Sequence, residues 1–430
     1  MTDLKVWILA GLIVSRLVGF GVQAGQSGIG VSRSTEPQPG SLWWDQIPAV
    51  FRQGTFSINV RARYEYVSQD NLPLDSHAGT VRTRFGFTTA PLYGIQGMLE
   101  AENIVALDDD AYNAAGANGE PLRPVVADPE TTEINQAWLA WTWTNWFGMK
   151  LGRQRIVYDN HRFVGDVGWR QNMQTFDAVS LHSSPGSQIQ AQYAYVWDVR
   201  RVFGNVSGLP PANRDFESDS HLVNVAWSPG PALRWVGYSY LLDLENAAGP
   251  NQSCATYGAA VSGTSALGQR LQVGYRAEVA WQTDFGPSRL DYSVPYHLLE
   301  LSGTIRPWAI GAGWERLGSD DGVGFRTPLA TLHAWNGWAD VFLNTPNAGL
   351  RDLYGFVQVN LPWEIPLRIV YHKFDADRGG ADFGQELDLM VTKRVGKYWS
   401  FLAKYAWYDG ADAPYAFQVH KVWAQVEFQF

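Results

Sequence analysis

The sequence has almost no cysteine, since Cys254 is the only one in 430 residues. One thiol cannot form a disulfide within the chain, and no group of cysteines and histidines has the spacing of a metal site. We therefore expect no metal and no other cofactor. The formal net charge of -9 also argues against a nucleic-acid partner, because an acidic protein repels a polyanion.

Long apolar runs are scarce, and the one that is present lies at the N-terminus. Residues 6–14 are apolar, follow Lys5 and precede small residues that end at Ala24. This pattern is typical of a secretory signal peptide, predicted here over residues 1–24. The run is shorter than the roughly 20 residues of a membrane-spanning helix. If the exported chain enters a membrane, it crosses as strands.

Charged residues are few, at 17%, whereas aromatic residues make up 14% of the chain. Outer-membrane barrels place many amphipathic rings in girdles at the two membrane interfaces. A soluble β-sandwich or a secreted sugar-binding β protein can have the same composition. Composition alone therefore leaves both classes open.

Alternation of polar and apolar residues predicts β-strands through most of the chain. Clear examples are residues 57–67 (SINVRARYEYV) and 270–282 (RLQVGYRAEVAWQ). The last ten residues, KVWAQVEFQF, alternate in the same way and end on Phe430. This ending resembles the terminal strand of outer-membrane barrels.

About 18 strands are predicted, and the connections between them alternate between tight and long. Tight turns such as Ser184-Pro185-Gly186 are followed by loops at 105–131, 156–174, 201–217 and 317–350. Short periplasmic turns and long extracellular loops explain this alternation, whereas a Greek-key sandwich does not. We therefore predict an all-β fold with a single transmembrane antiparallel β-barrel. Its predicted span is 53–430, after a flexible N-terminal leader at 25–52.

The densest group of cations lies in residues 146–178, where a predicted strand leads into a glycine-containing loop. We expect this segment to fold into the barrel and to line a path for anions. Asp159 and Asp166 are expected to position the guanidinium groups. The cations of the segment are Lys150, Arg153, Arg155, Arg162 and Arg170.

Other arginines lie on the polar faces of predicted strands, which would face the lumen. We predict that they also line the pore, although each can instead belong to a ladder of arginine–carboxylate pairs that stiffens the wall. The wall arginines are Arg61, Arg63, Arg82, Arg84, Arg276 and Arg368. The possible partners are Glu65, Glu100, Glu102, Glu278, Glu386 and Asp388, of which the last two are also predicted to position pore residues.

Two segments, 152–178 and 326–355, resemble the alginate-export porin family of Gram-negative outer membranes, and the strand that ends in Phe430 agrees with them. The resemblance implies a monomeric 18-stranded barrel, a narrow arginine-lined pore, and passive passage of an anionic polysaccharide. Family members can carry a long periplasmic plug, but the longest connection predicted at the short-turn end is 361–366. The sequence therefore leaves open whether a periplasmic partner gates the pore.

Two long loops have alternative interpretations. The acidic loop 105–131 is predicted to be a solvated surface, and the alternative is a site for calcium or for bridging to lipopolysaccharide. Loop 317–350 is predicted to form a lid over the mouth, and the alternative is that its aromatic rings stack on sugars. Outer-membrane lipid and lipopolysaccharide are the expected surroundings.

No motif supports an enzyme. The neighbours His182-Ser183-Ser184 and Asp75-Ser76-His77 lack the context of a catalytic triad, so we do not predict catalysis. The predicted function is passive conduction of anions in the bacterial outer membrane, with alginate or a related polyuronate as cargo. The alternative is an anion-selective or general small-solute porin.

Overall fold

The structure is a computed structural model that describes residues 48–206, 209–246 and 252–430. The predicted signal peptide at 1–24 and most of the predicted leader at 25–52 lie outside the described residues. The first described element is α1 (Ala49–Arg52), a single helical turn. No helix in the described ranges is long and apolar enough to cross a membrane.

Eighteen antiparallel strands form one closed barrel, as predicted. The barrel closes where β1 pairs with β20, with Asn59 opposite Gln429. The barrel strands are β1 (Thr55–Gln69), β2 (Ser76–Thr88), β3 (Ile95–Ala106), β4 (Thr131–Thr144), β5 (Phe147–Gln154), β6 (Thr175–Ser183), β7 (Ile189–Arg200), β8 (Asp215–Gly230), β9 (Leu233–Leu242), β10 (Cys254–Leu267), β11 (Leu271–Asp284), β12 (Ser293–Ile305), β13 (Trp308–Leu317), β16 (Leu350–Leu361), β17 (Ile365–Asp375), β18 (Asp382–Val395), β19 (Trp399–Asp409) and β20 (Gln418–Gln429). The remaining elements are α2 (Pro211–Arg214), the hairpin of β14 (Ser319–Asp320) and β15 (Val323–Gly324), and single 3-10 turns at Asp109–Ala111 and Leu332–Ala334.

The strand connections are short at one end of the barrel and long at the other, as predicted. At the short-turn end, the longest described connection is 89–94, so no long plug is present among the described residues there. At the long-loop end, three connections dominate. We name them loop A (107–130), loop B (155–174) and loop C (318–349).

The outer face of the barrel carries a belt of exposed apolar side chains. Phe85, Val279 and Leu301 are 51%, 56% and 61% exposed, while the alternating residues Arg82 and Glu278 are buried on the lumen side. A soluble sheet packs its apolar face into a core, whereas a membrane barrel turns that face to lipid. The belt therefore excludes the soluble β class and indicates a membrane barrel.

Loop B folds into the barrel and packs on the lumen face of the wall. The Phe163 ring lies 5.3 Å from that of Tyr238 on β9 and 5.2 Å from that of Tyr296 on β12. Full burial of such a side chain contributes about 1.5–3 kcal/mol. Loop B therefore follows the inward path that is predicted for this segment.

The middle of loop C, around His333 and Phe342, also packs inside the barrel, rather than over its mouth as a lid. The Phe342 ring lies 4.7 Å from Phe374 and 5.8 Å from Tyr408, both on the wall. Phe342 and His333 are buried, so these rings stabilise the loop and are not presented to a sugar.

Two glycines allow the loops to approach their neighbours closely. A Cβ atom on Gly165 of loop B would lie 2.2 Å from Oγ1 of Thr331 in loop C. A Cβ atom on Gly337, which has φ of +85°, would lie 2.3 Å from a carboxylate oxygen of Glu386. Any larger residue at either position would separate loop C from its contact surface.

Candidate functional site

Arg170 joins loop B to three other parts of the barrel. Its guanidinium lies 3.0 Å from Glu65 on β1, 3.5 Å from Asp128 in loop A and 3.2 Å from Asp340 in loop C. All four side chains are less than one-tenth exposed. Burial lowers the pKa of the Arg170 guanidinium, but the three carboxylates raise it more, so the net shift is upward. Arg170 is therefore a structural anchor.

Arg162 anchors the same loop to the opposite side of the wall. Its Nε donates to Glu315 on β13 at 2.6 Å, and Nη2 donates to Asn336 in loop C at 3.2 Å. The guanidinium also lies over the rings of Tyr296 and Trp335, at 5.8 and 5.2 Å. Arg162 is 2% exposed, so its charge is engaged by the protein itself.

The wall arginines on β1 and β2 hold the backbone of loop B. Arg61 donates to the carbonyl oxygens of Gly168 and Trp169 at 3.1 and 3.2 Å. Arg82 and Arg84 both donate to the carbonyl oxygen of Gln171, at 3.4 and 3.2 Å. These contacts favour an anchoring role over exposure to a passing anion.

Arg63 is engaged in a similar way. It donates to Oε1 of Gln425 at 2.7 Å and lies 4.1 Å above the Trp169 ring. Arg61, Arg63 and Arg82 are each less than one-tenth exposed. The interpretation of these arginines as wall-stiffening groups therefore has the better structural support.

Some of the predicted carboxylate partners pair with arginines, and others accept hydrogen bonds from amide groups. Glu102 pairs with Arg84, and Glu278 lies 2.6 Å from Arg276. Glu100 instead accepts hydrogen bonds from side-chain amides on β4. The Arg84–Glu102 pair joins neighbouring strands, as in a cross-wall ladder, whereas Arg276 and Glu278 both lie on β11.

Glu386 and Asp388 on β18 hold loop C. Glu386 accepts a hydrogen bond from the backbone N–H of Ala339 at 2.7 Å, and Asp388 accepts one from that of Trp338 at 3.2 Å. Neither carboxylate pairs with an arginine in the described ranges. The structure therefore places them as supports for loop C, and not as acids that position pore arginines.

Lys404 on β19 closes the contact between the two loops. Its Nζ lies 2.7 Å from Nε2 of His333, whose Nδ1 lies 2.6 Å from Asp340. The ammonium also lies 3.6 Å from the Trp338 ring and 4.5 Å from the Trp169 ring. With Asp340 ionised, the neutral imidazole donates from Nδ1 to Asp340 and accepts from Lys404 at Nε2.

One carboxylate of loop B lies between two arginines of the wall. Asp159 pairs with Arg234 on β9 at 2.5 Å and with Arg276 on β11. Burial raises the pKa of the Asp159 carboxyl, but the two guanidinium groups lower it more, so the net pKa is below the ordinary value. The geometry defines a site in which two guanidinium groups hold one carboxylate.

This site borders a cavity of about 580 Å³ near the short-turn end. Small and hydroxyl-bearing residues form much of its wall, which leaves the two guanidinium groups as its main charged donors. The lining includes Arg234, Arg276, Ser262, Thr264, Ser302 and one carboxylate, that of Glu300. A cavity with this lining can accept an anion together with hydroxyl groups.

Three other predicted cations are less buried than the anchors. Arg155 pairs with Asp166, as expected, and its side chain is 52% exposed. Lys150 lies 4.5 Å above the Trp138 ring. Arg368 lies 4.3 Å from the Phe356 ring. These side chains remain candidates for contact with a solute.

Arg153 does not face the lumen. It lies on the same face of β5 as Leu151, which is exposed on the outer surface, and it pairs with Asp177 on β6 at 2.8 Å. The next residue, Gln154, is buried on the lumen side. Arg153 lies within β5, ahead of the inward loop, and alternation along the strand points its side chain outward. We therefore exclude Arg153 from the pore.

Loop A is not uniformly solvated. Asp108, Asp109 and Asp110 are exposed, but Asp128 is completely buried and accepts a hydrogen bond from the backbone N–H of Gln171 at 2.8 Å. Among the described residues, no three acidic, histidine or cysteine side chains converge as they would around a metal ion. The calcium alternative therefore has no structural support here.

Sequence reasoning missed Arg234, His333 and Lys404 as organising residues. Arg234 shares the lumen face with Val236 and Tyr238, so that face of β9 does not read as polar. Lys404 shares the lumen face of β19 with Leu402 and Ala406, so that face does not read as polar either. The available signal was register, since a lumen residue on any strand predicts the lumen residues two positions away.

The closed 18-stranded barrel, its lipid-facing belt and its inward-folded loops define an outer-membrane porin. Residues 52–198 match the family model described as alginate export, which confirms the resemblance predicted from the sequence and indicates the bacterial outer membrane. The match to an export family agrees with the prediction that the chain is not an enzyme.

Solved structures of porins share the fold. Acinetobacter baumannii OccAB4 is 12% identical, with a TM-score of 0.70 over 89% of this chain and 99% of that one. Pseudomonas aeruginosa OccD3 (OpdP) is 13% identical, with a TM-score of 0.64 over 89% and 93%. Pseudomonas aeruginosa OpdK with vanillate is 12% identical, with a TM-score of 0.66 over 87% and 98%. No curated protein sequence matches the chain.

Proposed function

We propose that this porin conducts carboxylate-bearing solutes, with alginate or a related polyuronate as its cargo. The observation that carries the proposal is the Asp159 carboxylate held between Arg234 and Arg276 at the edge of the cavity. A uronate carboxylate has the same charge and the same pair of acceptor oxygens as Asp159. It can therefore replace Asp159 on the two guanidinium groups while the sugar hydroxyls meet the small polar lining.

A small-anion porin is the second candidate. The extracellular half of the lumen is narrowed by loops B and C, and a cavity of about 580 Å³ is of the size that holds a single small ligand. The porin fold neighbour OpdK has been solved with vanillate, a small carboxylate. Both candidates require the same arginine pair, and they differ in the length of the solute.

Conductance across planar bilayers tests the proposal. We expect the wild type to be anion selective in a salt gradient and to be blocked by oligouronates, with block strengthening as the oligomer lengthens. Replacing both Arg234 and Arg276 by Gln should weaken block about tenfold, which corresponds to about 1.4 kcal/mol. Asp159→Asn should strengthen block, because it removes the competing carboxylate from the two arginines.

Opposite effects of these changes separate binding from general damage to the fold. Arg153→Gln is the matched control, since it removes one guanidinium from the outer face and should leave selectivity and block unchanged. Cation selectivity of the wild type would contradict the proposal. Equal block by monomer and oligomer would assign the channel to small anions.

A further inference from the structure

A row of basic residues crosses the outer face of the barrel near the long-loop end. His297 on β12 lies opposite Arg316 on β13, which in turn lies opposite Arg351 on β16. Their chain neighbours on the lumen face are buried: Tyr296, Glu315 and Asp352. Because side chains alternate along a strand, the three basic residues project away from the lumen.

The row lies at the boundary of the lipid-facing belt. Two residues further toward the short-turn end on the same faces are Leu299 and Leu353, which are 54% and 57% exposed, with Trp314 between them. An aromatic ring in one row with exposed leucines is typical of the level at which lipid headgroups begin. The basic row therefore meets the headgroups of the outer leaflet.

Two guanidinium groups, that of Arg351 in this row and that of Arg378 beside it, have terminal amino groups with no hydrogen-bond partner among the described residues. Arg316 is engaged by Asp377, at 2.6 and 3.1 Å. Arg351 and Arg378 use Nε for the carbonyl oxygens of Ala376 and Ser319, at 3.0 and 3.2 Å. Among the residues that the structure describes, no carboxylate lies within 4.0 Å of Arg351, and that of Asp377 lies 4.0 Å from Arg378. The Arg378 side chain is 67% exposed.

A cavity of about 440 Å³ is lined in part by Arg378. It is lined by Ser319, Asp320, Asp321, Gly322 and Asn347. Carboxylate and amide oxygens accept hydrogen bonds from sugar hydroxyls, but the carboxylates repel a phosphate. The arginines and the cavity therefore suit two different parts of one ligand.

We propose that the Arg351–Arg378 patch, with its adjoining cavity, binds the phosphorylated sugar headgroup of an outer-leaflet glycolipid. The guanidinium fork binds phosphate bidentately, while the cavity receives hydroxyl groups of the attached sugar. A lipid is the occupant because the patch adjoins exposed leucines, which acyl chains cover in the membrane. This proposal concerns the outer wall and does not depend on what passes through the lumen.

The outward cations on the other side of the barrel provide the contrast. Arg153 pairs with Asp177 at 2.8 Å, and Arg200 pairs with Asp198 and Asp215 at 3.0 and 3.3 Å. These guanidinium groups have carboxylate partners, so they offer less to a phosphate. The two sides of one barrel thus provide a matched pair for an experiment.

Binding of diphosphoryl lipid A to the purified full-length barrel in detergent, measured by native mass spectrometry, tests the proposal. We expect the double variant Arg351→Gln plus Arg378→Gln to bind at least about tenfold more weakly than the wild type. Arg153→Gln plus Arg200→Gln should bind like the wild type. Circular dichroism and single-channel conductance should be unchanged in the first variant, which distinguishes lost lipid binding from misfolding.

Three further ligands define what would overturn the proposal. Dephosphorylated lipid A should bind more weakly than the diphosphoryl form, and equal binding would contradict a role for phosphate. Equal binding of phosphatidylglycerol would contradict recognition of a sugar headgroup. Displacement of lipid A by millimolar inorganic phosphate would show that the patch is a free-phosphate site. An unchanged affinity in the Arg351 and Arg378 variant would reject the patch altogether.

Discussion

Replacing Arg170 by methionine is expected to release loop B from the lumen and to destabilise its docked state by about 3–5 kcal/mol. Methionine keeps an apolar stem but leaves Glu65, Asp128 and Asp340 buried without their shared cation. Removing one partner of a buried ion pair costs this much because the remaining charge stays desolvated. Lys421 still lies 2.8 Å from Asp340, so we expect the lower end of the range.

Limited proteolysis of the detergent-solubilised barrel measures the effect. Cleavage within loop B requires that the loop leaves the lumen, and a loss of 3 kcal/mol raises the undocked fraction about a hundredfold. Single-channel conductance should rise with it, because an undocked loop no longer narrows the lumen. Heat resistance of the barrel itself should persist, since the 18 strands keep their pairing.

Arg155→Met is the matched control in the same loop. Arg155 has one described carboxylate partner, Asp166, and its side chain is 52% exposed, so its pair is worth about 0–1 kcal/mol. Equal acceleration of cleavage in the Arg155 and Arg170 variants would contradict the anchoring role of Arg170. It would then follow that any loss of positive charge loosens loop B.

The barrel could be predicted from the sequence because its strands obey one local rule. In residues 270–282, every second side chain is apolar, and the structure turns Tyr275, Val279 and Trp281 to the outside while Arg276 and Glu278 face the lumen. A shift of one residue would exchange the two faces, so the pattern determines orientation as well as strand identity. Counting the segments that follow this rule between successive turns and loops predicts about 18 strands.

The site was harder to predict because alternation assigns a face but not a partner. Arg61 and Arg276 both occupy polar lumen positions in the sequence. In the structure, Arg61 binds carbonyl oxygens of loop B, whereas Arg276 borders the cavity and holds Asp159. The difference depends on how loop B crosses the lumen, which is a long-range property that no single strand encodes.

Arg234 was missed for a different reason, which is that it lies on a lumen face that is not polar in sequence. The lumen face of β9 reads as apolar, because Tyr238 and Tyr240 there pack on Phe163 of loop B. In an open channel this face would contact water and would be polar. The inward loop turns part of the lumen into a protein core, so polarity stops identifying the lumen side wherever the loop packs.

Acidification is expected to release loop C through His333. Burial lowers the pKa of this imidazole, Asp340 raises it and Lys404 lowers it, and together these effects bring the pKa to about 3. In a released loop the pKa returns to about 6.5. Below pH 6.5 the released state therefore binds a proton, which the docked state does not bind until pH 3 is approached. The contribution to docking is complete above pH 6.5 and falls by about 1.4 kcal/mol for each pH unit below it, until pH 3 is approached.

Hydrogen exchange of loop C peptides, expressed as protection factors to remove the intrinsic pH dependence, measures this effect. Between pH 8 and pH 5, protection in loop C should fall by about 2 kcal/mol, or roughly thirtyfold. His333→Gln should flatten this slope, because an amide can donate to Asp340 and accept from Lys404 but does not titrate. His77→Gln, on the exposed outer face, should leave it unchanged. A wild-type slope that persists in the His333 variant would assign the proton to another group, and loop C would then open without the imidazole taking part.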